Sequence, residues 1–401
     1  MNTARQLLLF VVMVLSILFN ARQARAQSGI ELENVGAAHR FGEQITFLAR
    51  IKASTPIQNI SIIIVDESQA ITHVEPLAMQ ADGSTEFRFD TRQNRLRPFS
   101  QIKWSYQFTL PDGSTVQSES FSMRYADDRF DWQSLESDGV RVNWYNSDTD
   151  FGQAAVNAAQ SGLDSVGRLM AVDRVQPVDI FIYANLEDLQ GTLNPNGENW
   201  VAGHANPALG VAMVVIEPGA EQNILMEQRI PHELMHVMMY RAVDAGYINI
   251  PLWLREGTAT LAEIYPNVDY DRVLTDAVPG NALIPLTSLC ASFPADTGRA
   301  FLAYAESRSF VNYLHENYGS SGLLNLAASY ADGLDCERGT ELVLGVSLLN
   351  LEATWRSSVL GQNALLPALQ NIAPYLVLLC LVLIIPLINV LSYRSQKRKS
   401  K

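Results

Sequence analysis

The chain has 401 residues, of which 48% are hydrophobic and 18% charged, so most of it should fold as ordinary globular protein. Its formal net charge is −13, and so acidic a chain is a poor partner for nucleic acid or anionic lipid. At about 150 residues per domain, the length allows two folded domains together with targeting segments.

Residues 1–26 have the features of a secretory signal peptide. Arg5 precedes the apolar run from Leu7 to Phe19, which is short for a bilayer span, and Ala24-Arg25-Ala26 offers a cleavage site. We therefore expect cleavage after residue 26. The alternative is an uncleaved membrane anchor, because arginine is unusual just before a cleavage site.

Residues 27–126 consist of short runs that alternate between apolar and polar types or are rich in β-branched and aromatic residues. Turn signals such as Asp82-Gly83-Ser84 and Pro111-Asp112-Gly113 separate these runs. This arrangement is typical of an all-β sandwich of immunoglobulin or fibronectin type. The stretch carries no cluster of catalytic residue types, so we expect a spacer or a binding module.

Residues 127–362 change to a longer hydrophobic period. The pattern predicts, in chain order, a helix over 151–172, a strand over 178–183, a short helix over 186–193 and an apolar strand over 209–217. From residue 224 onward the sequence is almost wholly helical, apart from a loop that we expect over 266–294. Strands followed by helices indicate an α+β domain.

The segment His232-Glu233-Leu234-Met235-His236 places two histidines one helical turn apart on the same face. Two imidazoles so placed can bind one zinc ion, and Glu233 can take a proton from a neighbouring water. Pro231 is compatible with a helix start at this point, or with a kink in a helix that begins earlier. The pattern also occurs by chance, so a third ligand is needed to specify a site.

A catalytic zinc site needs a third protein ligand and an open fourth position. Residues 251–263 have the sequence PLWLREGTATLAE, which should form a second helix after a short connection. Two antiparallel helices would bring Glu256 toward the histidine pair. The candidate metal ligands are therefore His232, His236 and Glu256.

HELMH followed by WLREGTATLAE resembles the gluzincin metallopeptidases, specifically their small bacterial peptidase-MA-like branch. In that family the glutamate of the W-L-x-E-G motif is the third zinc ligand, which corresponds to Glu256. Nineteen residues separate His236 from Glu256, one more than in aminopeptidase-N-like members, so the register is not identical. The resemblance implies a gluzincin-type zinc peptidase domain over 127–362 in a membrane-anchored bacterial protein, and it covers the β-rich segment only loosely.

Three further side chains are candidates for the same site. Glu263 lies seven residues after Glu256 on nearly the same helix face, and we expect it to orient a ligating imidazole. Metal ligation or a surface position are the alternatives for Glu263. Gluzincins stabilise the oxyanion with a tyrosine or histidine; Tyr304 is the candidate here, unless it only packs in the core. His204 could line the cleft.

The apolar run Gly210–Val214 has two interpretations. In gluzincins an edge strand before the metal helix holds extended peptide by adding it to the sheet, and this run has that place in the sequence. A buried inner strand is equally apolar and is the simpler interpretation. The motif by which aminopeptidases bind a free amino terminus is not visible, so endopeptidase and aminopeptidase activity are both alternatives.

The three cysteines divide between two environments. Cys380 lies in an apolar stretch near the C-terminus, whereas Cys290 and Cys336 lie in the α+β domain. We expect these two to form a disulfide, which persists outside the cytoplasm, with free buried thiols as the alternative. The bridge would close a loop of roughly 45 residues and contribute about 3–4 kcal/mol in the chain-entropy model.

Residues 363–371 form a short linker to the apolar stretch 372–393, which is long enough to cross a membrane as one helix. Residues 394–401 are basic and contain no acid, so this tail should be cytoplasmic. The segment between signal peptide and tail would then be extracytoplasmic, with 21 basic against 42 acidic residues, a net charge of −21. A core helix of a soluble domain is the alternative.

These features predict a membrane-anchored, extracytoplasmic peptidase that uses Zn2+ to hydrolyse a peptide or protein substrate, with Glu233 as general base and no nucleic-acid partner. Two alternatives belong to other classes. One is a gluzincin scaffold that cleaves nothing and serves as a binding module. The other is a zinc hydrolase of a non-peptide bond, since fold does not fix substrate.

Overall fold

The computed structural model describes residues 29–170, 172, 177–193, 203–362, 372–380 and 382. The predicted signal peptide, linker and basic tail lie outside this part of the chain, as does much of the predicted membrane span. Within it, no helix combines the length and the apolar character needed to cross a membrane. The chain divides into two compact units, the first reaching to Asp131 with a short segment that begins at Gly191.

The first unit is rich in β-structure. Its strands are β1 Ile30–Arg40, β2 Gln44–Ala53, β3 Asn59–Asp66, β4 Ile71–Leu77, β5 Ser84–Asp90, β6 Gln101–Thr109, β7 Thr115–Gln117 and β8 Phe121–Arg124. One sheet has the order β1-β2-β5, and the other has the order β4-β3-β6-β7 with β8 also paired to β6. Every pairing in both sheets is antiparallel.

Alternation along the strands determines which face each sheet buries, because successive side chains point to opposite faces. Ile60, Ile62 and Ile64 of β3 are buried, as are Ile45 and Phe47 of β2. Since β2 and β3 belong to different sheets and their buried residues form one hydrophobic cluster, the two sheets share a core. The short hydrophobic period therefore predicted the sheet-rich character of this region.

The second unit contains a five-stranded sheet. Its strands are β9 Gln133–Ser137, β10 Val140–Trp144, β11 Val178–Tyr183, β12 Gly203–Asn206 and β13 Val211–Val215. They have the order β12-β13-β11-β10-β9, in which β10, β11 and β13 run parallel. The interpretation of the 210–214 run as an edge strand is wrong. β13 is an inner strand whose residues are all buried, and β12 is the edge among the described strands.

Helices make up most of the other regular structure described in the second half of the chain. They are α1 Thr149–Leu169, α2 Leu186–Thr192, α3 Gln222–Val243, α4 Leu252–Ala262, α5 Asp269–Ala277, α6 Thr297–Ala331, α7 Cys336–Leu344 and α8 Leu348–Ser358, with short 3₁₀ segments at Pro207–Leu209, Asp244–Asn249 and Leu286–Leu289. The loop expected over 266–294 contains α5, which buries Tyr270, Leu274 and Ala277 at helical spacing. Gly319 interrupts α6 with a φ of 67°.

Candidate metal centre

The helix α3 carries both histidines and passes through Pro231, so it does not begin there. Proline has no N–H, and this leaves the carbonyl of Glu227 without its helical donor. The N–H of Ile264 donates to that carbonyl over 2.9 Å. The carbonyl freed by the proline therefore ties Ile264, two residues after the end of α4, to α3.

The start of α4 is held by the disulfide between Cys290 and Cys336, with a Sγ–Sγ distance of 2.01 Å. The N–H of Leu252 donates to the Cys290 carbonyl over 2.8 Å. The indole Nε1–H of the fully buried Trp253 donates to Cys336 Sγ over 3.3 Å. These contacts fix the helical turn that leads to Glu256.

The two helices bring together the donor atoms of His232, His236 and Glu256, which all lie within 4.8 Å of one another. Glu256 Oε2 is 3.4 Å from His232 Nε2 and 3.7 Å from His236 Nε2. Ligand atoms about 2.1 Å from a tetrahedral zinc ion lie roughly 3.4 Å apart. Two imidazole nitrogens and one carboxylate oxygen are also a donor set of catalytic zinc sites, so these residues fit zinc.

Each imidazole has a polar partner at its other ring nitrogen. His232 Nδ1 lies 3.2 Å from Glu263 Oε1, and the Glu263 side chain is only 7% exposed, so it is not a surface charge. His236 Nδ1 lies 2.9 Å from the hydroxyl of Tyr247. Because Nδ1 of each ring is engaged, the two Nε2 atoms are available to a metal beside Glu256.

Tyr247 was not among the residues predicted for the site. It lies in the 3₁₀ segment Asp244–Asn249 between α3 and α4, where no hydrophobic period marks individual positions. The guanidinium of Arg255 lies over its ring, 5.2 Å from the centroid. The sequence signal that could have prompted a search is the general need of a metal-binding histidine for a second hydrogen-bond partner.

Glu233 is buried beside the candidate ligands, at 6% exposure. A Cβ built on Gly203 would lie 2.3 Å from Glu233 Oε1, so this carboxylate lies against the backbone of the edge strand β12 and would have to move for any larger residue there. Burial raises the pKa of Glu233, while the neighbouring histidines lower it, and the net change is upward. A carboxylate with a raised pKa is a stronger base.

The candidate ligands also pair with one another. Burial lowers the pKa of His232, but its hydrogen bonds with Glu256 and Glu263 outweigh burial and raise that pKa well above its usual range. Burial raises the pKa of Glu256, but His236 and His232 outweigh it and hold that pKa below its usual range. Protons and zinc compete for the same nitrogens, so metal binding must weaken as pH falls.

Tyr304 lies next to this cluster, with its ring centroid 6.3 Å from that of His232. It also makes an edge-to-face contact with Phe293, with centroids 5.0 Å apart. The structure thus brings Tyr304 to the site and packs its ring at the same time, which is compatible with both roles considered for it. His204 is exposed on β12, one residue after Gly203.

A comparison with protein families identifies a match over the part of the chain that carries the site. The family model of the Peptidase MA superfamily matches residues 158–361. This range includes the candidate ligands, Glu233 and Tyr304. No curated protein sequence matches the chain.

Solved structures give more distant likenesses. An M1 zinc metallopeptidase from Deinococcus radiodurans is 10% identical, with 82% of this chain and 94% of that chain covered and a TM-score of 0.36. Wild-type OgpA from Akkermansia muciniphila is 18% identical, with 25% of this chain and 28% of that chain covered and a TM-score of 0.21. The chain thus spans less than a third of the length of OgpA.

Proposed function

Because this chain belongs to the Peptidase MA superfamily, we propose that it is a zinc-dependent peptidase whose active site contains the three candidate ligands and Glu233. The observation that carries the proposal is the convergence of the donor atoms of His232, His236 and Glu256 within 4.8 Å. Glu233 and Glu263 are buried beside them. Three buried carboxylates around two imidazoles leave an excess of negative charge, which a divalent cation balances.

The reaction divides between the metal and the side chains around it. Zinc, when bound, polarises the scissile carbonyl and makes water a better nucleophile. Glu233 takes a proton from the attacking water and returns it to the leaving amine. The Tyr304 hydroxyl donates to the carbonyl oxygen as negative charge develops there.

The edge strand β12 offers a place for the substrate. It pairs with β13 on one side only, and none of the other described strands pairs with its free side. An extended peptide can add to such an edge through its backbone. Because Gly203 of β12 contacts Glu233, a peptide bound there passes the general base.

The proposal extends to the location of the enzyme. The signal-like residues 1–26 and the apolar stretch 372–393 with its basic tail support a membrane-anchored protein whose peptide or protein substrate is extracytoplasmic. A tag placed after Lys401 should then resist protease added to intact cells, while an epitope in the β-rich unit is digested. Digestion of the C-terminal tag would contradict this topology.

The test of the activity uses the purified full-length chain and its Glu233→Gln variant. Both should bind one zinc ion per chain, and only the unaltered protein should cleave a mixed peptide library. We expect the variant to lose about 10²–10⁴-fold in rate, as for removal of a general base. Glu221→Gln changes an exposed residue at the start of the same helix and should retain full activity.

The outcomes separate the competing functions. Absence of zinc from the unaltered protein would overturn the proposal. Stoichiometric zinc without cleavage of any peptide would favour the binding scaffold or the hydrolase of a non-peptide bond. Profiling the products of the library would distinguish cleavage within a chain from removal of terminal residues.

A further inference from the structure

The 3₁₀ segment Asp244–Asn249 is held in place by contacts away from the metal-binding residues. A Cβ built on Gly246 would lie 2.5 Å from the carbonyl oxygen of Ala331, so only glycine permits this approach to the end of α6. Asn249 Nδ2 donates to the same oxygen over 3.2 Å. The backbone on both sides of Tyr247 is therefore fixed against α6.

The Tyr247 side chain is held as firmly as its backbone. Arg255 covers its ring, and the ring of Tyr240 lies 6.0 Å away between centroids. The hydroxyl then lies 2.9 Å from His236 Nδ1. A phenol ring with packed faces has few orientations available, so the hydroxyl stays beside that nitrogen.

A neutral imidazole carries one proton, and its position decides whether the ring can bind metal. If the proton is on Nδ1, the lone pair of Nε2 is free; if it is on Nε2, that atom cannot ligate. His236 Nε2 is the atom that faces Glu256. The hydrogen-bond partner at Nδ1 therefore determines whether His236 Nε2 can bind a metal ion.

We propose that Tyr247 is a positioning residue for the metal: its hydroxyl oxygen accepts the Nδ1–H of His236 and so keeps Nε2 free to bind zinc. This inference rests on the proposed function in so far as His236 is a ligand. It also explains the difference between the two histidines. The site already contains three carboxylates, those of Glu233, Glu256 and Glu263. The neutral hydroxyl of Tyr247 orients the imidazole of His236 without adding a fourth negative charge.

The first test measures zinc affinity by chelator competition in the full-length protein. Tyr247→Phe keeps the ring and its packing and removes only the oxygen. We expect zinc to bind about 10–100-fold more weakly, the usual cost of losing a partner behind a ligand. Tyr240→Phe, which removes a hydroxyl from the neighbouring ring, is the matched control and should bind zinc like the unaltered protein.

The second test follows the proton itself. Nitrogen NMR of the metal-free protein labelled with ¹⁵N-histidine distinguishes the two neutral tautomers of His236. Tyr247→Phe should shift this ring toward the Nε2–H form, and Tyr240→Phe should not. A residue that only filled space would change the melting temperature and leave the tautomer unaltered.

Unchanged zinc affinity and tautomer in Tyr247→Phe would overturn the role of Tyr247, even if the protein proves to be an active peptidase. Weaker zinc binding together with the tautomer shift would support it, even if no peptide is cleaved and the proposed function fails. If the unaltered protein binds no zinc, both proposals fall.

Discussion

Two groups of buried carboxyl groups in the second unit differ in their partners. In the candidate metal site, formed by His232, His236 and Glu256, the carboxylate lies 3.4 and 3.7 Å from the imidazole nitrogens. In a second group on α6 and α8, Glu306 Oε1 accepts the N–H of Ile284 over 2.9 Å. Its Oε2 is buried with no hydrogen-bond partner among the described residues.

The pKa values of Glu256 and Glu306 are shifted from the ordinary value in opposite directions. Burial raises the pKa of Glu256, but the two histidines reverse the effect and lower it. Burial raises the pKa of Glu306 to about 7, although the Ile284 N–H and Arg356 act against it. Burial alone therefore does not determine ionisation: nearby cations outweigh burial at Glu256, and they do not at Glu306 or Glu352.

Arg356 does not neutralise Glu306 because another acid holds it more closely. Its Nη2 lies 2.5 Å from Glu352 Oε1, one helical turn earlier on α8. The same nitrogen donates to the Ile284 carbonyl over 3.1 Å, and Glu352 Oε2 accepts the N–H of Leu286 over 3.2 Å. These hydrogen bonds hold the backbone at 284–286 against α8. A neutral Glu306 can still accept the N–H of Ile284 and so helps to hold the same segment.

The largest expected effect comes from Glu256→Gln, which removes the negative charge of the candidate metal site. Zinc should bind more than about 100-fold more weakly, because even the loss of a partner behind a ligand costs 10–100-fold. Peptide cleavage should fall to background. Chelator competition and cleavage assays measure both, with the exposed Glu341→Gln as control. Zinc binding at the unaltered affinity would show that Glu256 is not a ligand.

The parts of the site that follow from local spacing were predictable from the sequence. Histidines four residues apart face the same way on any helix, so His232 and His236 required no knowledge of the fold. Glu256 and Glu263 were predicted from a helical hairpin and a family resemblance, and the structure places both within hydrogen-bonding or ion-pair distance of a histidine.

The parts that depend on distant contacts were not predictable. Pro231 was compatible with a helix start or with a helix that begins earlier, and the structure has the second. The hydrogen bond lost at Pro231 is replaced by the N–H of Ile264, 33 residues later, which no local rule reveals. The order of β12 and β13 in the sheet depends on pairing, which the apolar run of β13 does not encode. Tyr247 contacts His236 only because a 3₁₀ segment is packed against the end of α6.

A smaller effect is expected for the second group, in Glu306→Gln. The folded protein binds the Glu306 proton up to a pKa of about 7, compared with 4.5 as the ordinary value. Between these values the folded state holds more protons than the unfolded state, so stability falls as pH rises through this window. At about 1.4 kcal/mol per pKa unit, the fall over the whole window amounts to about 3–4 kcal/mol.

Glutamine has no proton to lose, so Glu306→Gln should lack this fall. The free energy of unfolding of the metal-free protein in urea, measured at pH 5 and pH 8, gives the comparison. From pH 5 to pH 8 the free energy of unfolding should fall by about 2–3 kcal/mol less in Glu306→Gln than in the unaltered protein. In Glu316→Gln, an exposed position on the same helix, it should change as in the unaltered protein. Parallel curves would mean that Glu306 keeps an ordinary pKa inside the fold. Arg356 would then act on Glu306 as the histidines act on Glu256, and the contrast between the two groups would disappear.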